Sequence, residues 1–171
     1  MYSRDGINFS LLEEPIISPG RDVRNWAKHG QMTAWGMLQT AEDELSIYVQ
    51  QHDHQPTTHL RRATLRTDGF VSLHAGAYPG GEALTRPLVF AGNRLEINAV
   101  TSAAGSIFVT VLDAESNQPI EGFEQSMEFY GDQVSHVIHW NKRNDIAALS
   151  GRPIRLKFTL HAADLYSLRF F

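Results

Sequence analysis

Apolar residues alternate with polar ones along several stretches of the chain, and this pattern constrains the fold more than any other feature of the sequence. In residues 154–161, isoleucine, leucine and phenylalanine occupy every second position, and arginine, lysine, threonine and histidine lie between them. Residues 44–49, 94–99 and 107–112 repeat the pattern. A period of two residues is typical of antiparallel strands with one face on a core and the other in water.

Short turn signals separate these stretches, and no window of ten or more residues carries a helical apolar stripe. The turn signals are Asp68-Gly69, Pro79-Gly80-Gly81, Gly92-Asn93, Asn117-Gln118-Pro119 and Gly151-Arg152-Pro153. Strands bounded by turns at such short intervals are typical of a sandwich or barrel. The sequence therefore predicts an all-β protein built around an antiparallel, jelly-roll-like β-sandwich.

The organisation of the chain changes near residue 58. Residues 1–58 are irregular, with two predicted strands at 34–40 and 44–51, and Gln51–Thr58 has the polar, proline-containing composition of a linker. Residues 59–171 are the length of one sandwich. A sheet of two or three strands is marginal by itself. We therefore expect residues 1–58 to pack on the sandwich, on a second copy or on a part that is missing.

Composition excludes several functional classes. The 171 residues include no cysteine, which rules out disulfides, thiolate zinc sites and a cysteine nucleophile. The net charge of −4 argues against a nucleic-acid partner. No run approaches 18 apolar residues, and Met1–Gly6 lacks the basic and apolar regions of a signal peptide. We expect no membrane partner, and the sequence assigns no compartment.

Three histidines form the best candidate metal site. On a strand, His52 and His54 would point to one face, and Asp53 or His59 would complete a zinc or copper shell. The alternative is a solvated linker with no metal.

Aspartates at predicted strand ends are the candidate calcium ligands. These are Asp68, Asp113 and Asp164. Calcium takes six to eight oxygen ligands, several of them backbone carbonyls that a sequence does not reveal. The competing interpretation gives each aspartate a turn or cap role.

Two aromatic residues are candidates for a sugar platform. Trp26 and Tyr78 are flanked by polar residues or glycine, which favours exposure, whereas Trp140 ends an apolar run and is expected in the core. Exposed aromatic rings stack on the apolar faces of sugars while nearby polar groups fix orientation.

Two sets of segments carry a resemblance to a known family. Ser3-Arg-Asp-Gly-Ile-Asn-Phe9 is similar to the hairpin in blades of β-propeller sugar hydrolases, in which Asp5 and Gly6 would make the turn and Phe9 would anchor it. Residues 60–72, 101–106, 151–158 and 163–170, taken in order, resemble the C-terminal part of bacterial proteins related to glycoside hydrolase families 32 and 43. In those proteins a five-bladed propeller precedes a β-sandwich.

The resemblance implies a last propeller blade at residues 1–58 and the sandwich at 59–171. The family's catalytic carboxylates lie on earlier blades, so no catalytic residue is carried over to this chain. The implied function is that of a non-catalytic accessory region of a glycoside-hydrolase-like protein, which supports the propeller or contacts carbohydrate. The alternatives are an independent carbohydrate-binding module, a structural fragment that forms a homodimer through its blade-like segment, and a small metal-dependent enzyme built on His52, His54 and His59.

Overall fold

The computed structural model describes residues 1–3, 5–26, 31–141 and 143–171, and its regular structure is almost entirely β. The strands are β1 (Tyr2–Ser3), β2 (Phe9–Ser10), β3 (Met32–Thr33), β4 (Leu38–Ala41), β5 (Glu44–Gln51), β6 (His59–Arg66), β7 (Leu73–Ala75), β8 (Gly81–Leu84), β9 (Leu95–Asp113), β10 (Asp132–Val137) and β11 (Ile154–Phe170). Two single 3-10 turns lie at Val23–Trp26 and Ala147–Leu149. The predicted all-β, sandwich-like fold is confirmed.

The chain forms two compact units, an N-terminal unit at Met1–Leu65 and a C-terminal unit at Arg66–Phe171. The sequence places the boundary between residues 58 and 59, seven residues earlier. Within the described ranges, no helix is both long enough and apolar enough to span a bilayer.

The N-terminal unit opens with the predicted hairpin, in which β1 pairs antiparallel with β2. The Asp5 carboxylate accepts hydrogen bonds from the backbone N–H groups of Ile7 and Asn8, and Gly6 has a positive φ of 72°. The predicted turn role of Asp5 is therefore confirmed. Phe9 is largely exposed, so its side chain does not anchor the hairpin as the resemblance implies.

A small antiparallel sheet in the order β3-β5-β4, with β6 also paired to β5, completes this unit. The predicted strand at 44–51 is confirmed at Glu44–Gln51. The strand predicted at 34–40 is wrong at its start, since β4 begins at Leu38 and Gly36 adopts a φ of 87° in the preceding turn. Only Ile47 and Val49 are buried apolar side chains among this unit's described residues.

The C-terminal unit is built on one long antiparallel ladder between β9 and β11, which runs from Ile154↔Asp113 to Phe170↔Leu95. β10 lies on the outer side of β9, and β7 and β8 both lie on the outer side of β11. Alternate residues enter one core along residues 95–99 and 107–111 of β9 and along residues 154–160 of β11. Its fully or almost fully buried members include Leu95, Ile97, Ala99, Ile107, Val109, Val111, Ile154, Leu156, Phe158 and Leu160.

Loop segments cover this buried face and close the core. Phe90, Phe123, Phe129, Ile138, Trp140, Ile146 and Leu149 are all buried there. The Trp140 indole N–H donates to the Val109 carbonyl oxygen at 3.1 Å, so the largest core side chain has its polar atom satisfied. The predicted core position of Trp140 is confirmed.

The opposite face of β9 is less exposed than its polar residues predict. Glu96 and Asn98 are 6% and 3% exposed. The Glu96 carboxylate accepts hydrogen bonds from Ser135 and Arg169, and the Asn98 side-chain oxygen accepts from Arg66. Burial of these polar groups is tolerated because each has a partner.

A bulge interrupts the ladder near its middle. The pairing jumps from His161↔Ser106 to Ala163↔Thr101, and Ala162 between them has a φ of 41°. At this point Gly105 faces the backbone of β11 so closely that an added Cβ would lie 2.5 Å from the Ala162 carbonyl oxygen. The bulge therefore divides β9 and β11 into two halves each, and the close approach of Gly105 to Ala162 leaves little room for the backbone to shift there.

Gly105→Ala is expected to lower the free energy of unfolding by about 1–3 kcal/mol, because the new methyl group overlaps backbone that is held by the ladder. Gly76→Ala is the matched control, since its Cβ would meet open space. Urea unfolding of both variants measures the difference. Equal midpoints for Gly105→Ala and the parent would contradict the close approach of β9 and β11.

Candidate functional site

A groove opens beside this bulge in the C-terminal unit, with a cavity volume of about 390 Å³. Its polar lining comes from His74, Thr101, Ser102 and Asp164, and the remaining lining residues are small or aliphatic. The residues come from β7, β9, β11 and the loop after β7, which the bulge brings together. Bulges commonly lie next to sites because they redirect side chains locally.

His74 and Asp164 form the polar centre of the groove. They are direct cross-strand partners of β7 and β11, which places both side chains on the same face. The Asp164 Oδ1 atom accepts hydrogen bonds from Ser72 Oγ at 2.7 Å and from His74 Nδ1 at 3.0 Å. Since the carboxylate accepts, Nδ1 carries the proton in this bond, and His74 Nε2 and Asp164 Oδ2 are the polar atoms that the network leaves unused.

Tyr78 lies on the loop that forms one end of the groove, and its side chain is 95% exposed. Ala77, the residue before it, lines the groove, and the Gly76 carbonyl accepts the Ala162 N–H at 3.0 Å. At the other end of the loop, Gly80 has a φ of 82°, and a Cβ there would lie 2.7 Å from the His161 ring. Both ends of the loop are therefore held against β11, and the predicted exposure of Tyr78 is confirmed.

A second polar network, centred on Arg66, lies next to the groove and pairs the Asp132 carboxylate with a cation. Asp132, Val100 and Asp164 are successive cross-strand partners. The Arg66 guanidinium donates to Asp132 at 2.6 Å and lies 4.5 Å from the centre of the Tyr166 ring. Asp132 is therefore paired with a cation, whereas Asp164 is paired with a histidine and a hydroxyl.

The predicted metal residue His52 is buried in the N-terminal unit, 6% exposed, within a hydrogen-bond network. Its Nε2 lies 2.9 Å from Asp22 Oδ2, and its Nδ1 lies 3.0 Å from Thr57 Oγ1. Hydrogen bonds from the Arg24 side chain and backbone, with a further one from His52, hold the pKa of Asp22 well below its usual range. Asp22 is thus an ionised acceptor for the His52 ring.

The other two predicted metal residues are differently placed. The His59 ring packs edge-on to His52 with 4.8 Å between centroids, whereas His54 is exposed and lies beside Asp53. In the described part of the chain, no three histidines or carboxylates come together as a metal-binding group. The prediction of a solvated linker is wrong for Gln51, His52 and Asp53, which are all buried.

The predicted calcium residues lie at three separate places in the C-terminal unit. Asp68 accepts a hydrogen bond from Ser167 Oγ, and Asp164 belongs to the groove. Asp113 accepts from the Ser116 backbone N–H and pairs with Arg152, as expected of a turn residue. The structure does not bring these carboxylates together.

Trp26, the other predicted sugar platform, is 68% exposed in the N-terminal unit. Its indole N–H donates to the Gly20 carbonyl at 2.9 Å, which orients the ring. Trp26 and Tyr78 therefore belong to different units. His74 carries no signal in the sequence, because only the β7–β11 register shows that it faces Asp164.

Comparison with protein-family models, with curated proteins and with solved structures finds no match to this chain. The resemblance to glycoside hydrolase families 32 and 43 stays a prediction.

Asp113→Asn is expected to lower the urea midpoint near neutral pH. The Ser116 backbone N–H, followed by the Arg152 guanidinium and the Ser116 hydroxyl, holds the pKa of Asp113 well below its usual range. A lowered folded-state pKa stabilises the protein above the unfolded pKa of about 4, and this contribution is lost as the pH falls through the folded value.

The difference between the parent and Asp113→Asn should therefore shrink as the pH is lowered below about 4. Urea unfolding over a pH series measures it, with the exposed Glu128→Gln as the matched control. A difference that grows with falling pH would contradict the assigned role of Asp113.

Proposed function

We propose that the C-terminal unit is a non-catalytic carbohydrate-binding module whose site is the groove beside Tyr78. The observation that carries the proposal is a 95% exposed tyrosine on a loop that is held at both ends and that lines, through Ala77, the groove of a hydrogen-bonded His–Asp pair. Rigid exposed aromatic rings and a few convergent polar groups are the ordinary parts of a small-molecule site.

The chemistry of the groove matches a hydroxyl-rich ligand. The Tyr78 ring offers an apolar face for the C–H side of a pyranose ring, at little loss of conformational entropy. Asp164 Oδ2 can accept a hydrogen bond from a sugar hydroxyl, His74 Nε2 can form a hydrogen bond with a neighbouring one, and the Ser102 hydroxyl can donate or accept. Because the central charge is a carboxylate, neutral sugars are favoured over acidic ones.

The same groove favours binding over glycoside hydrolysis. Hydrolysis usually requires two carboxyl groups on opposite sides of the scissile bond, about 5–10 Å apart. Asp164 is the one acidic residue among the described residues that line the groove. An accessory role beside a hydrolase, as the sequence resemblance implies, is compatible with such a site and remains part of this proposal.

The test is affinity electrophoresis and calorimetry of the full chain against soluble xylan, mannan, mixed-linkage β-glucan and starch. We expect weak binding to at least one polysaccharide, and Tyr78→Ala should weaken it about tenfold or more, since about 1.4 kcal/mol corresponds to a factor of ten. Asp164→Asn should weaken it in the same direction.

Trp35→Ala is the matched control, because Trp35 is a fully exposed aromatic residue in the N-terminal unit. Trp26→Ala removes the other predicted sugar platform and should leave binding unchanged. If Trp26→Ala loses polysaccharide binding and Tyr78→Ala keeps it, the binding site lies in the N-terminal unit and the proposed groove is wrong. No binding to any of the four polysaccharides would overturn the proposal.

A second candidate function, self-association through the N-terminal unit, rests on exposed apolar side chains at the start of β4 and in the turn before it. Trp35 is fully exposed, and Met37 and Leu38 are 50% and 60% exposed. β4 pairs with β5 alone within the described sheet, so its other edge is open to a strand of a second copy. An exposed apolar edge of this kind favours pairing between chains.

Leu38→Glu is expected to abolish a concentration-dependent dimer, because it places a charge on the apolar edge strand. Analytical ultracentrifugation over a hundredfold concentration range measures the effect. Leu84→Glu is the control, since Leu84 is similarly exposed in the C-terminal unit. A monomeric parent at all concentrations would exclude this second candidate and leave the carbohydrate proposal untouched.

A further inference from the structure

We infer that Tyr130 is a second aromatic platform of the same site and that the ligand is a chain of several neutral sugar units laid across the strands. The inference rests on the proposed carbohydrate-binding function and adds the length and direction of its ligand. The evidence for it is the position of Tyr130 on the backbone next to the groove.

Tyr130 is exposed, yet its backbone is held on both sides. The preceding residue, Phe129, is 1% exposed and exchanges two backbone hydrogen bonds with Ile107, each 3.0 Å long. The following residue, Gly131, donates its N–H to Thr101 Oγ1 at 3.0 Å, and its carbonyl accepts the Thr101 N–H at 2.8 Å. Tyr130 itself is 72% exposed, so a large ring projects from a fixed position.

The strand registers place Tyr130 in line with the groove. His74, Asp164, Val100 and Asp132 are successive partners across β7, β11, β9 and β10. The next pair toward the groove is Thr101 with Gly131. The next paired residues are Ile107 and Phe129, so Tyr130 lies across from residues 102–106 of β9, the segment that bulges out of the ladder.

The segment that Tyr130 faces contributes Ser102 to the floor of the groove. Ser102, Ala162 and Gly76 all line it, and the Gly76 carbonyl accepts the Ala162 N–H. Tyr78 follows Gly76 by two residues on the β7 side, while Tyr130 lies on the β10 side. Small side chains thus occupy the floor, with one exposed tyrosine beyond each end.

The span between the two ends sets the size of the ligand. Four adjacent strands are separated by three spacings of about 4.8 Å, which is roughly 14 Å in all. One pyranose ring cannot contact both tyrosines over that distance, whereas a short oligosaccharide can. The His74–Asp164 pair lies on β7 and β11, two residues along β11 from Ala162, where it can hydrogen-bond to hydroxyls of the sugar units nearer Tyr78.

Calorimetric titration of the full chain with xylo-, cello-, malto- and manno-oligosaccharides of one to six units tests the inference. For the series that binds, affinity should rise about tenfold or more between two units and five, then level off. Tyr130→Ala should remove this rise and leave the affinity for two units unchanged. Tyr78→Ala should weaken binding at every length.

Tyr130→Phe is the conservative control and should keep the rise, because stacking needs the ring and not the hydroxyl. Trp35→Ala should keep it as well. Affinity that does not depend on length, or a rise that survives in Tyr130→Ala, would overturn this inference while leaving the proposed function in place. A parent chain that binds no oligosaccharide at any length would overturn both.

Discussion

The antiparallel pairing of β9 with β11 is the interaction on which the rest of the C-terminal unit depends. The two longest strands supply most of the buried aliphatic side chains, and the remaining strands and covering loops attach to them. Alternation of side chains along both strands puts one continuous apolar face under the loops that carry Phe129 and Trp140. A one-residue slip in this pairing would move the whole apolar set to the wrong face.

The same ladder creates the candidate site through its one large irregularity. At Ala162 the register jumps, and the approach of Gly105 keeps the two strands close there. The interruption leaves a floor of small residues, and β7 ends beside it with its loop bound back to β11. The polar side chains of the groove are thereby held on paired strands, although they come from segments far apart in the sequence.

The two units differ in how they are stabilised. The C-terminal unit has an extensive apolar core, while the described N-terminal unit buries two apolar side chains and relies on polar networks such as His52 with Asp22. Hydrogen bonds of this kind contribute modestly to net stability, and burial of apolar surface contributes more. In the N-terminal unit, exposed apolar side chains lie at the start of β4 (Leu38) and in the turn before it (Trp35 and Met37), and these motivate the proposal of self-association.

Local pattern by itself determined the β class, the strands at 44–51 and 154–161, the core position of Trp140 and the exposure of Tyr78, because side-chain alternation and turn chemistry are local properties. Only the tertiary structure decided the burial of His52, Glu96 and Asn98, because each is compensated by partners distant in sequence. It also decided that His74 faces Asp164 and that both line one groove with Thr101 and Ser102. Those juxtapositions depend on the register between strands, and strand register is a non-local property that composition and spacing do not encode.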